Sequence, residues 1–215
     1  MSYAALESFL VPLNTLFEED GVNESMINKP CEAWVEKRGD LRIEQIPILD
    51  IDHLLGLGRL VAQSTEQTVS EEKPLLSATL PNGYRIQIIF PPACEPRTVA
   101  MSIRKGSSMQ LTLEDYKKMG AFDNTATTEI QDPNTAALQK LLKKNDIAEF
   151  LTLAINAKKN IIISGGTSTG KTTFTNAALL AIPTHERLIT VEDAREVMLP
   201  QHLNRVHLLA SKGGQ

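Results

Sequence analysis

The sequence predicts an α+β N-terminal domain over residues 1–122 and, after a linker at 123–136, the first part of an α/β domain over 137–215. Strand-like and helix-like segments are mixed through the first 120 residues. The stretch DNTATTEIQDPNTA, residues 123–136, has almost no large apolar side chain and is rich in Asp, Asn, Thr and Pro, as a linker requires. Beyond it the apolar NIIIS runs into a glycine-rich loop and then into a helical pattern.

The elements follow in order. Tyr3, Leu6, Leu10, Leu13 and Phe17 recur at helical spacing, with Phe9 and Leu16 beside them and a kink expected at Pro12. VNESMIN and EAWVEK are short strand candidates joined around Asn28, Lys29 and Pro30, a hairpin closed by Arg38, Gly39 and Asp40. Residues 50–64 form a helix capped by Asp50 or Asp52. LLSATLPNGYRIQIIFPPAC gives two strands, with Asn82 and Gly83 expected to supply the positive-φ residues of the turn. TVAMSIRK is a further alternating strand, and TLEDYKKMGAF a short helix capped by Thr112. After the linker, residues 137–160 are helical in pattern and break near Asn145 and Asp146. NIIIS then has the pattern of a buried strand, KTTFTNAALLAI that of a helix ended by Pro183, and ERLITVEDARE that of another strand.

Composition removes several function classes. The chain has 215 residues, a net charge of −4 and a pI near 5.6, so there is no broad attraction for nucleic acid and no direct nucleic-acid binding is expected. Cys31 and Cys94 are the only cysteines, with neither the number nor the spacing of a metal site or a disulfide framework. The N-terminus lacks a basic residue before its apolar stretch, unlike a signal peptide, and no apolar run approaches the ~20 residues needed to span a bilayer. His53, His185, His202 and His207 show no metal-ligand spacing and read as ordinary surface or core histidines.

Gly165-Gly166-Thr167-Ser168-Thr169-Gly170-Lys171-Thr172 satisfies G-x-x-x-x-G-K-[ST], the phosphate loop. A phosphate chain presents acceptor oxygens on all sides, so several backbone N–H groups must turn inward around it. Glycines at 165, 166 and 170 permit that concavity, and the following helix adds its unpaired N–H groups and the positive end of its dipole. Lys171 places a point charge on the β- and γ-phosphates, and the Thr172 hydroxyl becomes a ligand of Mg²⁺. Twenty residues on, Glu192, Asp193, Arg195 and Glu196 follow the end of a strand, where ligands of open α/β sheets bind and where an acid can hold a metal-bound water or polarise a nucleophile.

The α+β domain, the linker, ISGGTSTGKTTFTNAAL and LITVEDARE, in this order, resemble the traffic ATPases of type IV secretion systems, relatives of the motors of type II secretion and type IV pili. NGYRIQIIFPPAC, VAMSIRKGS and TLEDYKKMGAF are similar to that family's N-terminal domain, so the resemblance covers essentially the whole chain. It implies an α+β N-terminal domain followed by the first part of an α/β RecA-like P-loop NTPase domain, with ATP and Mg²⁺ as cofactors. It also implies a homohexamer, cytoplasmic and peripheral at the inner face of the bacterial inner membrane, with inner-membrane secretion-complex subunits and other secretion ATPases as partners. By match, Gly165 to Thr172 are the Walker A loop, and Glu192 to Glu196 fall in the acidic box; Thr173, next to the loop, is a further candidate for nucleotide binding. The resemblance makes Lys171, Glu192 and Asp193 catalytic, gives the metal to Thr172 and Glu192, and brings an N-terminal arginine to the nucleotide, Arg104 first and Arg85 second.

The chain departs from the family at Gly106, where proline is frequent, and at Cys31, in a turn that would suit glycine. A larger departure is at its end. After VHLLASKGGQ the family continues with further strands, a Walker B segment and a histidine box, and only about two strands follow the phosphate-loop strand here, against the ~5–6 of an ordinary sheet. The expectation is a truncated polypeptide that would not hydrolyse ATP at a useful rate by itself. The expected function is an ATP-binding and hydrolysing motor subunit that energises assembly of, or substrate transfer through, the secretion machine. Two alternatives use the same loop: a nucleotide-switched docking subunit on the membrane complex, and a phosphotransferase, for which the sequence shows no acceptor site.

Overall fold

The computed structural model describes residues 3–106, 111–123, 125 and 132–210. The described chain divides into two compact units, one of residues 3–106, 187–196 and 202–210 and one of the described residues between 111 and 186 with 197–201.

In the first unit, helix α1 (Tyr3–Phe17) continues through Pro12 and buries Leu6, Leu10, Leu13 and Phe17, leaving Tyr3 and Val11 exposed. Strands β1 (Val22–Ile27), β2 (Glu32–Lys37), β3 (Asp40–Gln45), β4 (Leu75–Thr79), β5 (Arg85–Ile89) and β6 (Ala100–Arg104) form an antiparallel sheet in the order β3-β2-β1-β6-β5-β4. Helix α2 (Ile51–Ser64) starts at Asp50, whose carboxylate accepts the His53 N–H at 2.8 Å. One face of the sheet sends Ile27, Val35, Ile88, Met101 and Ile103 into a core shared with Leu54, Leu57 and Val61 of α2 and the apolar stripe of α1. The alternate residues Glu24, Met26, Gln87, Ser102, Arg85 and Arg104 therefore lie on the opposite face.

Two expectations are corrected here. Strand β3 extends the first hairpin beyond its expected end, through a two-residue loop in which Arg38 (φ 53°) and Gly39 (φ 95°) both adopt the left-handed conformation. In the β4–β5 connection only Gly83 has positive φ, not Asn82. The turn is a Leu80–Gly83 bend closed by Gly83 N–H to Leu80 O at 2.8 Å, and Asn82 contributes its side chain, accepting the Tyr84 N–H at 3.1 Å.

The same unit contains β7 (Leu188–Glu192) and β8 (Arg205–Leu209), a parallel pair. Leu209 N–H bonds Ala93 O at 2.9 Å, Asn28 Nδ2 donates to Asn204 Oδ1 at 2.8 Å, and Val206 packs on Cys94 and Ala100. Burial lowers the Arg187 guanidinium pKa and raises that of the Cys94 thiol.

The second unit holds α3 (Leu113–Lys118), α4 (Thr135–Lys143), α5 (Ile147–Asn156) and α6 (Lys171–Leu179). Thr112 and Asp115 cap α3 reciprocally, and the α4–α5 break falls at Asn145 (φ 58°) with Asp146 capping α5. Helix α4 begins at Thr135, inside the expected linker, of which residues 124 and 126–131 lie outside the described residues. The strand expected at NIIIS does not form: residues 160–166 pair with no strand among the described residues, and Ile162 is 93% exposed. An extended apolar segment becomes a strand only when neighbours accept its backbone hydrogen bonds.

Candidate functional site

The phosphate loop bends through two left-handed residues, Ser168 (φ 60°) and Gly170 (φ 83°), before α6 begins at Lys171. Gly170 occupies the helix N-cap and carries no capping side chain, so no side-chain oxygen from that position competes for the first-turn N–H groups. Lys171 Nζ donates to Gly165 O at 2.8 Å and to Gly166 O, and Thr169 Oγ1 donates to Gly166 O at 2.9 Å. A Cβ on Gly165 would stand 2.7 Å from Thr169 Oγ1, so Thr169 would have to turn its side chain away from Gly166 O to admit one. Gly166, Thr167 and Thr173 are exposed, and Thr172 is half-buried in the first turn of α6. A loop that bends through left-handed residues into a helix N-terminus, with an ammonium on its own carbonyls, has the donor chemistry a polyphosphate takes. The Thr172 hydroxyl at that turn has the oxygen chemistry that Mg²⁺ takes.

In the first unit the two candidate arginines come together. Arg85 on β5 and Arg104 on β6 are direct cross-strand partners, both exposed, on the face opposite the core. With Ser77, Thr79, Gln87 and Ser102 they line an open depression of about 550 Å³. Glu24 stands opposite Arg104 on β1, and its carboxylate accepts the Ser102 hydroxyl at 2.7 Å. Like charges directly opposite on a sheet repel, and an anion between them relieves the repulsion.

Glu192 is the last residue of β7, and Asp193 follows it into an exposed bend. Thr190 Oγ1 donates to Glu192 Oε1 at 2.8 Å, and the Glu196 N–H donates to Glu192 Oε2 at 2.8 Å. His207 Nδ1 lies 2.9 Å from Thr190 Oγ1. Arg195 pairs with Glu95 at 3.5 Å. Lys171 and Thr172 thus belong to the second unit, and Glu192, Asp193, Arg85 and Arg104 to the first. Among the described residues no group of three or more His, Cys, Asp or Glu could hold a metal ion.

Thr190 and His207 were not among the residues expected at the site. Thr190 shares a face with Glu192 because it lies two residues before it on a strand, a signal present in LITVEDARE, whereas His207 reaches it only through the β7–β8 register that pairs Thr190 with His207. Of the other histidines, His53 stacks on Phe9, and His185 is exposed beside Glu186.

A family model described as Type II/IV secretion system protein matches residues 10–213. The chain belongs to this family. The Type IV secretion system protein VirB11 of Brucella suis is 38% identical over 206 residues, which are 95% of this chain and 57% of that protein. VirB11 of Bartonella henselae is 36% identical over 96% of this chain and 61% of that protein. PtlH of Bordetella pertussis, another type IV secretion system protein, is 34% identical over 209 residues. The chain thus spans about three fifths of the length of these family members. The crystal structure of the VirB11 ATPase from Brucella suis, in complex with sulphate, superposes with a TM-score of 0.92 at 38% identity, over 96% of this chain and 64% of that one. The fold is accordingly that of a type IV secretion ATPase: an N-terminal domain of helices and antiparallel sheet, followed by part of the ATPase domain.

Proposed function

We propose that the chain belongs to a motor subunit that binds and hydrolyses ATP and so energises assembly of, or substrate transfer through, a bacterial type IV secretion system. Residues 1–122 are its N-terminal domain, 123–136 the linker and 137–215 part of the RecA-like nucleotide-binding domain. The observation that carries the reading is the loop at 165–172, turned into the N-terminus of α6 with Lys171 Nζ on the carbonyls of Gly165 and Gly166. In this reading the N–H groups of the loop and of the first turn of α6 bind the phosphates, and Lys171 exchanges its carbonyl partners for the β- and γ-phosphate oxygens. Thr172 and Glu192 would hold Mg²⁺, which supplies charge neutralisation on the phosphates when bound. Arg85 and Arg104 take the γ-phosphate and pass its loss to the N-terminal domain. Asp193, beside Glu192, is a further acid for orienting the attacking water.

The subunit is read as a homohexamer that docks on inner-membrane secretion-complex subunits from the cytoplasmic side. Support comes from the family; among the described residues no helix is long and apolar enough to cross a membrane. In the full-length protein Lys171→Ala is expected to abolish ATP hydrolysis, and unchanged turnover would refute the role of the loop. Light scattering with and without Mg²⁺-ATP should show a nucleotide-stabilised hexamer. Tight nucleotide binding without turnover would instead mark a nucleotide-switched docking subunit.

A further inference from the structure

The Glu192 carboxylate is held at both oxygens. Oε1 accepts from Thr190 Oγ1 at 2.8 Å, and Oε2 accepts from the Glu196 N–H at 2.8 Å. On the neighbouring strand, directly across from Thr190, His207 brings Nδ1 to 2.9 Å from Thr190 Oγ1 and 3.7 Å from Glu192 Oε1. The His207 and Glu192 side chains are only 10% and 9% exposed.

The proton count fixes the direction of these bonds. A hydroxyl has one proton, and an ionised carboxylate can only accept. Thr190 therefore commits its proton to Glu192, and its oxygen can only accept from His207. The imidazole must then carry a proton on Nδ1. These two donors, one on each oxygen, fix the orientation of the carboxylate.

We propose that His207 and Thr190 form a positioning relay for Glu192, in which His207 Nδ1–H donates to Thr190 Oγ1 and the Thr190 hydroxyl donates to Glu192 Oε1. The relay locks the orientation from which the carboxylate acts on bound Mg²⁺-nucleotide, and it rests on the reading of Glu192 given above. Thr190 and His207 touch neither metal nor nucleotide; they act through Glu192. A purely structural role is the weaker account. The backbone ladder already holds β7 to β8 from Leu188–Arg205 to Glu192–Leu209, and two apolar side chains of matching shape at 190 and 207 would be nearly neutral for stability.

The test uses the full-length protein and two independent readouts. In the first, NMR of ¹⁵N-labelled histidine should show the neutral His207 ring protonated on Nδ1, and Thr190→Val should shift it toward the Nε2–H form. The second readout is kinetic. Thr190→Val should lower kcat/KM for Mg²⁺-ATP about 10–100-fold, the size typical of a lost outer partner of a metal-binding group, because a carboxylate that holds the ion acts on binding and turnover alike. Thr190→Ser should restore kcat/KM, and His207→Asn, which keeps a donor near the position of Nδ1, should outperform His207→Leu. In a Glu192→Gln background, Thr190→Val should cause no further loss.

An Nε2–H ring in the unsubstituted protein overturns the relay. So does an equal further loss from Thr190→Val in the Glu192→Gln background, which would mean that the pair serves the fold. Full turnover by Glu192→Gln overturns the reading of Glu192 and the relay with it. A Glu192→Gln protein whose turnover is lowered but measurable, combined with either of the first two results, overturns the relay alone.

Discussion

At the residue scale, Arg85 and Arg104 set the proposed nucleotide contact against stability. Each is an unremarkable strand residue in sequence, yet the antiparallel register of β5 and β6 places the two guanidinium groups directly opposite each other. Glu24 faces Arg104 from the other side, so removing Arg85 relieves the repulsion while Arg104 keeps its opposite-charge neighbour. Replacing Arg85 by Ala is therefore expected to raise thermal stability slightly, by a few tenths of a kcal/mol, since both groups are exposed and well screened. The same substitution should weaken Mg²⁺-ATP binding in the full-length protein. Calorimetric unfolding and nucleotide titration on one preparation check both signs. A loss of stability accompanied by unchanged affinity would make Arg85 a structural residue.

Among the elements, helix α2 is the clearest case of a local signal deciding a boundary. Two aspartates stand at its start, and only Asp50 has the extended backbone and the bond to His53 N–H that make a cap; Asp52 lies inside the first turn. Asp50→Ala should cost about 0.5–2 kcal/mol, because the cap starts the helix that supplies Leu54, Leu57 and Val61 to the core. Asp52→Ala removes only a charge near the helix dipole and should cost less. Denaturant unfolding of the two variants separates them. Caps, the helical stripe of α1 and the alternation of β5 and β6 were legible because each depends on neighbours within a few residues. Strand β3 was missed because its apolar residues, Leu41 and Ile43, lie on the exposed side of the edge strand and give it no buried face. NIIIS failed for the opposite reason: its composition suits a buried strand, but a strand exists only where partners complete its ladder.

At the scale of the whole molecule, distant segments are tied by charge as well as by the apolar core. Glu19, just after α1, bonds Lys37 of β2 and Arg42 of β3, and Arg42 also bonds Glu44 at 2.7 Å. Hydrogen bonds from Arg42 and then Lys37 lower the Glu19 pKa from 4.5 to about 2. A depressed carboxylate pKa means that the folded state binds its proton less readily than the unfolded chain. The contribution of this cluster is therefore complete above about pH 4.5 and is lost as pH falls toward 2. Glu19→Gln should lower the Tm at neutral pH, and the difference from the unsubstituted protein should shrink across that window. A difference that stays constant down to pH 2 would place the stabilisation elsewhere. The candidate site divides in the same way. The loop at 165–172, its lysine and the acidic residues after β7 were legible as candidates in the sequence, because each is a run of contiguous residues. The pairing of Arg85 with Arg104, and of Thr190 with His207 beside Glu192, was decided only by tertiary structure, because strand register joins residues that no local spacing connects.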